Sequence, residues 1–294
     1  MKCLICGNEK DFNQYLSLSY LKKCSKCGFV FMAEIQQPED YYEAKTSRRF
    51  DNQKQETRFR NCRNRLDSFK KFLNQKTSIL EVGCNEGSFL KIAQEAGYEI
   101  LGLEPNDKLV EYAKNLNLPV VQGIIETFRP ERRYDAIVLF NVLEHLKDPA
   151  GALQKMSSIL SPAGYLVLEI PSIDSFLAKK QKENWEMITV EHFSYFSQKT
   201  ITAFLNTYGF SVKQISVRQF DEWHLGIKEC LIRLGFNLFK TAERSSVGDQ
   251  NQESEIREFS QKHPYLNPVR FFLSFLVKVL KRGDYILVVA QKSR

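Results

Sequence analysis

Between residues 78 and 171 apolar runs of strand length alternate with polar or helix-patterned segments, and that rhythm restricts what the chain can fold into. The runs are "SILEVGC" (78–84), "YEILGLEP" (98–105), "PVVQG" (119–123), "YDAIVLFN" (134–141) and "GYLVLEIP" (164–171). The helix-patterned segments are "EGSFLKIAQEAG", closed by Gly97, "NDKLVEYAKNLN", capped by Asn106, and "DPAGALQKMSSILSPAG", ended by Pro162 and Gly164. Strands this apolar need cover on both faces, which predicts an α/β fold with a parallel sheet between layers of helices. Ligands of such sheets sit at the carboxyl ends of the strands, where the winding reverses direction.

Flanking segments extend the pattern. Phe59, Cys62, Leu66, Phe69 and Leu73 recur at spacings of three and four within the basic stretch 45–74. That stretch therefore reads as a helix packed on the sheet with a basic outer face, rather than as an arm for nucleic acid. "KTITAFLNTYGF" reads as a further helix, "FSVKQISVR" as a sixth strand and "DYILVVAQK" as a last one. An insertion at 219–283 holds two apolar-faced helices, near 223–241 and 268–281, divided by "SSVGDQNQESE". The second helix is too short to span a bilayer. Its apolar face suits core packing, and its basic end (Lys278, Lys281, Arg282) leaves a dimer contact or peripheral membrane contact through 268–282 open.

Cys3-x-x-Cys6-Gly and Cys24-x-x-Cys27-Gly, with seventeen residues between Cys6 and Cys24, have the spacing of a four-thiolate zinc site. Four protein thiolates leave no open coordination position, so the zinc is expected to be structural. The division is then a zinc-binding module at 1–40 and an α/β domain at 41–294. Cys62, Cys84 and Cys230 read as buried free thiols. Seven thiols, no charged-then-apolar leader in "MKCLICGNEK" and no apolar run near 18 residues lead us to expect a cytoplasmic protein. The net charge of +7 suits acidic partners such as nucleic acid, nucleotide sugars or anionic lipid without choosing among them.

The loop after the first sheet strand separates three kinds of glycine-rich site. It lacks the lysine of a phosphate-cradling loop and the Gly-x-Gly-x-x-Gly of a dinucleotide site. What remains is Glu81-x-Gly83-x-x-x-Gly87, followed by Glu104 at the tip of the second strand. This pattern resembles the class I S-adenosylmethionine (SAM)-dependent methyltransferases, with Asn85 where their middle glycine stands. "YDAIVLFNVLEHLKDP" and "GYLVLEIP" are similar to their fourth- and fifth-strand motifs. The resemblance implies a Rossmann-like seven-stranded sheet with the last strand antiparallel, and a SAM site. In that site Gly83, Asn85 and Gly87 bring the backbone close to the cofactor, oriented by Glu81. Glu104, with Pro105 beside it, takes the ribose hydroxyls. Ile124 faces the adenine, and Phe140 and Asn141 offer carbonyls to the ammonium group. Glu144 and His145 read as caps of the next helix.

Methyl transfer to oxygen or carbon needs a base, and "NWEMITVEHFSYFSQKTI" offers Glu191 and His192 in the loop after strand five. The segment resembles that of the deoxysugar C-methyltransferases, which carry an amino-terminal four-cysteine module. In those enzymes Tyr-x-Glu-His supplies the base; here Thr189 stands at the tyrosine position. The resemblance implies His192 as base, with Glu191 and Tyr195 beside it. A lid in which His192 and Tyr195 only hydrogen-bond is the alternative. The acceptor is expected to be a nucleotide- or lipid-linked sugar or a related small metabolite, with the zinc module covering the substrate side. An RNA methyltransferase and a non-catalytic cofactor-binding protein are the rivals. The first lacks the mixed aromatic and basic surface that single-stranded RNA needs.

Overall fold

The computed structural model describes residues 1–33, 55–218 and 283–293. The expected helices near 223–241 and 268–281, Cys230 and the polar stretch "QQPEDYYEAK" (36–45), which reads as a linker, lie outside these residues. Among the described residues no helix is long and apolar enough to cross a membrane.

The main sheet contains β4 (Ser78–Val82), β5 (Glu99–Glu104), β6 (Val120–Gln122), β7 (Tyr134–Phe140), β8 (Leu160–Pro171), β10 (Phe210–Arg218) and β11 (Tyr285–Lys292). Their order is β10-β11-β8-β7-β4-β5-β6. Strands β4 to β8 are parallel, and β11 is inserted antiparallel between β8 and β10. The chain starts in the middle at β4, winds outward to β6, then crosses back to β7. The switch point therefore lies between β4 and β7, where ligands of open α/β sheets collect.

The period of two along each strand sorts the core into two layers. Leu80, Ile137, Leu139, Leu166 and Leu168 share one apolar cluster with Ala152, Leu153 and Met156 of α4 (Pro149–Ile159) and Ile201, Phe204 and Leu205 of α6 (Gln198–Thr207). Ile79, Ala136, Val138 and Val167 share the other with α1 (Gln55–Phe69), α2 (Ser88–Glu95) and α3 (Asp107–Asn115). As expected, Cys62, Leu66 and Phe69 are the buried residues of α1. Asn106 caps α3 by accepting from the Leu109 N–H.

One helix is shorter than expected. α4 stops at Ile159 rather than running to Gly164, and β8 begins at Leu160, which pairs with Tyr134. The proline ring at 162 disfavours helical geometry at Ser161, so extended backbone takes over just upstream.

A second, four-stranded sheet has the order β1-β2-β3-β9. Its first three strands, β1 (Phe12–Tyr15), β2 (Leu18–Cys24) and β3 (Val30–Met32), belong to the cysteine-bearing segment. The fourth, β9 (Ser194–Tyr195), comes from the loop after β8, on which α5 (Phe176–Gln181) also lies. One face of this sheet buries Leu21, Val30 and Met32 with Trp185, Phe193 and Tyr195. Cys3, Cys24 and Phe29 join the main core, where the Phe29 ring lies 5.0 Å from that of Phe196.

Candidate active site

The turn after β4 is shaped by its own backbone. Gly83, Asn85 and Gly87 all have positive φ (70°, 52° and 81°). Asparagine tolerates the left-handed region, which explains how Asn85 can stand where the related pattern has glycine. A Cβ on Gly83 would lie 2.6 Å from a Val142 methyl, and one on Gly87 would lie 2.5 Å from Leu118. Both glycines are thus required by the packing of the chain itself.

Glu104 ends β5 with one carboxylate oxygen accepting from the Asn85 N–H (2.9 Å) and the other from the Asn106 N–H (3.1 Å). Each oxygen keeps a further lone pair for a ribose hydroxyl. Burial raises the Glu104 pKa, and the two N–H groups oppose that shift. Pro105 follows at the surface, its carbonyl accepting from the Gln122 side chain. Ile124 is 45% exposed, an apolar side chain open at the end of β6 where the adenine is expected. Glu81 is buried beneath the loop, and burial holds its pKa well above the carboxylate range.

Across the switch point, Phe140 ends β7 in edge contact with Phe89 (4.9 Å between centroids) and under the Arg65 guanidinium (4.8 Å). Arg65 also donates from Nε to Glu169 Oε1 at 2.8 Å, and Arg218 Nε lies 3.4 Å from the other oxygen. Glu169 therefore ties α1 and β10 to the end of β8. Asn141 has φ +56°, donates its N–H to the Glu169 carbonyl, and keeps Oδ1 buried without a hydrogen-bond partner among the described residues. That orphaned acceptor suits a cationic or hydroxylated ligand.

Glu144 and His145 do not cap the following helix. Asp148 does so, accepting from the Gly151 N–H, while Glu144 and His145 form a 3-10 turn, Leu143–His145. Ligand atoms of Glu144, His145 and His192 lie within 4.8 Å of one another, and the two imidazole rings are 4.5 Å apart, edge to face. His145 Nδ1 is 3.0 Å from the Glu191 carbonyl and His192 Nδ1 is 2.7 Å from that of Met187. A carbonyl can only accept, so each Nδ1 carries the proton and each Nε2 is the basic nitrogen of the neutral ring. Tyr195 is buried with its hydroxyl donating to the Thr189 carbonyl at 3.3 Å, and its ring lies 6.1 Å from His192. Glu191 meets His145 through its backbone.

Both Glu144 carboxylate oxygens are buried with no partner among the described residues, and burial pushes its pKa up to about 8. The unfolded chain releases this proton near 4.5, so stability present below that pH is lost as pH rises toward 8. Glu144→Gln is expected to be more stable than wild type at pH 8 by on the order of 3 kcal/mol, with the gain gone at pH 4. Urea denaturation at the two pH values measures it.

The four cysteine sulfurs converge. Cys3 and Cys27 are 3.5 Å apart, Cys6 and Cys24 are 3.6 Å apart, and all four sulfurs lie within 4.8 Å of one another. The edge of a tetrahedral zinc–thiolate site is about 3.8 Å. Burial opposes ionisation of Cys24, yet the Cys27 N–H and the Asn8 amide bring its thiol down to about 6. Cys62 and Cys84 are buried and free, as expected.

Glu104 holds Asn85, a side chain at Gly83 would run into Val142, and Glu144, two residues after Val142, lies beside His145 and His192. The strand order and the glycine turn paired with Glu104 are those of the class I SAM-dependent methyltransferase fold. A family model described as a methyltransferase domain matches residues 54–215, and the chain belongs to that family.

The chain is 25% identical over 120 residues to the ubiquinone biosynthesis O-methyltransferase of Proteus mirabilis, covering 38% of this chain and 46% of that protein. It is 24% identical over 143 residues to the C-methyltransferase NovU of Streptomyces niveus, covering 47% and 33%. The matches thus span less than half the length of either relative. Among solved structures, a SAM-dependent methyltransferase from Archaeoglobus fulgidus shares the fold, with a TM-score of 0.53 and 18% identity over 86% of this chain and all of that one.

Proposed function

We propose that the protein moves a methyl group from SAM to a small sugar-like acceptor, nucleotide- or lipid-linked, with His192 as general base. Bound where the sheet reverses its winding between β4 and β7, SAM would supply an electrophilic methyl group, which passes in line to the acceptor while S-adenosylhomocysteine (SAH) leaves with the S–CH3 bonding pair. Glu104 and the backbone of 83–87 hold the nucleoside, Ile124 lines the adenine side, and Asn141 faces the amino-acid end. His192 Nε2 takes the proton of the acceptor, and the loop 172–196 with the cysteine-bearing sheet excludes water. The observation that carries this reading is the pinned Nδ1 of His192. The basic Nε2 is then on the other side of a ring that stands beside Glu144 and His145 of the turn after β7. The likeness to NovU, a C-methyltransferase, supports the transfer of a methyl group.

Thermal-shift screening in the presence of SAH, across nucleotide sugars and lipid-linked sugars, tests the acceptor class. A further rise in Tm with one of these is expected. Methylation of purified RNA that fades steeply with salt would replace the reading.

The cysteine cluster belongs to the same proposal. About one zinc ion per chain is expected by metal analysis, held by Cys3, Cys6, Cys24 and Cys27. Cys24→Ser should lose both the ion and the order of residues 1–33. A metal-free preparation with this segment fully folded would contradict it.

A further inference from the structure

The strand that follows the proposed base, β9, is paired with β3 of the cysteine-bearing module. Val30 pairs with Tyr195 and Phe31 with Ser194. Phe193 sits at the junction, its N–H donating to the Glu144 carbonyl (2.8 Å) and its carbonyl accepting from the Met32 N–H (2.9 Å). One residue after His192, the backbone is therefore clamped between the cofactor domain on one side and the cysteine-bearing sheet on the other. The second cysteine knuckle feeds this clamp directly. The Cys24 N–H donates to the Phe29 carbonyl and the Gly28 N–H to the Cys24 carbonyl, both at 2.8 Å, and β3 follows at Val30. Upstream of His192, Trp185 is buried with Leu21, Val30 and Met32, so the loop that offers the Met187 carbonyl to His192 also rests on the module. Ser17 adds a tether through its N–H and hydroxyl to Glu183 (3.2 and 3.0 Å).

The cofactor loop is built differently. Its defining bonds, Gly83 N–H to the Leu103 carbonyl and Asn85 and Asn106 N–H to Glu104, run within residues 83–106. A two-residue strand has little stability of its own, so β9 depends on its partner. We infer that Met32, Trp185 and Phe193 are positioning residues through which the metal-loaded module sets the place of His192, while leaving SAM affinity to the other half of the molecule. This inference rests on the zinc and His192 readings proposed above. Withdrawal of metal then disables the acceptor side and spares the cofactor side.

The test compares the full-length zinc-loaded chain, the same chain treated with a chelator, and Met32→Pro. The last removes one N–H donor to Phe193 and leaves the cysteines untouched. Hydrogen exchange is followed by mass spectrometry, and SAH affinity by titration calorimetry. Exchange in peptides over 189–197 is expected to speed up by about tenfold or more in both altered forms, with 78–104 unchanged. SAH affinity should stay within about twofold, and restored zinc should restore protection to the chelated form. Unaltered protection at 189–197 in Met32→Pro, or a loss of SAH affinity parallel to the loss of protection, would overturn the inference. Failure of the untreated, zinc-loaded chain to bind SAH would instead strike at the proposed function.

Discussion

Glu104→Ala is expected to weaken SAM binding by about 100-fold or more, with a smaller loss of thermal stability. Hydrogen bonds to a charged group contribute about 1.5–3 kcal/mol each, and this carboxylate is positioned to make two with the ribose. The change also strips the Asn85 and Asn106 N–H groups of their acceptor, so the loop loses the bonds that set its shape. Titration calorimetry of the purified variant reads the effect. Glu104→Gln separates the two contributions, since an amide oxygen still accepts one N–H. Wild-type affinity in Glu104→Ala would remove this carboxylate from the site.

His192→Ala should act on the other half. Its turnover is expected to fall by about 100-fold or more, the usual contribution of a placed general base, with SAM affinity nearly unchanged. The side chain contacts the Met187 carbonyl and the His145 ring, whereas the β4–β5 loop takes its shape from Glu104. Initial rates at saturating SAM with the acceptor found by the thermal-shift screen measure it. Unchanged turnover would leave His192 as a structural residue of the lid. Together the two variants divide the site at its switch point, one disabling the donor side and the other the acceptor side.

Much of this arrangement is legible in the residues alone, because it is local. Apolar runs of strand length, the capping Asn106 and the glycines at 83, 87 and 97 each act within a few residues, where periodicity and backbone sterics are strong constraints. The four cysteines are legible for a chemical reason: few other demands place paired thiols at that spacing.

The remainder depends on contacts far apart in the chain. β9 is two residues long and pairs with a strand more than 160 positions upstream, so no period announces it. Arg65 looks like one more charge on a basic helix, yet it meets Glu169 across 104 residues. Glu144 and His145 carry the sequence marks of helix caps, and only the 3-10 turn Leu143–His145 directs them toward His192 instead. Their one advance signal is a carboxylate and an imidazole side by side at the end of a buried strand. The early end of α4 had its signal in Pro162, whose influence falls on the residue before it.

A donor bound by glycine-shaped backbone and one carboxylate is the premise under everything else. Calorimetric titration of SAM into the zinc-loaded chain addresses it most directly. The account predicts saturable uptake of one molecule per chain, abolished or strongly weakened by Glu104→Ala. No uptake of SAM, or preferential uptake of a pyrophosphate-bearing dinucleotide at the same turn, would contradict it.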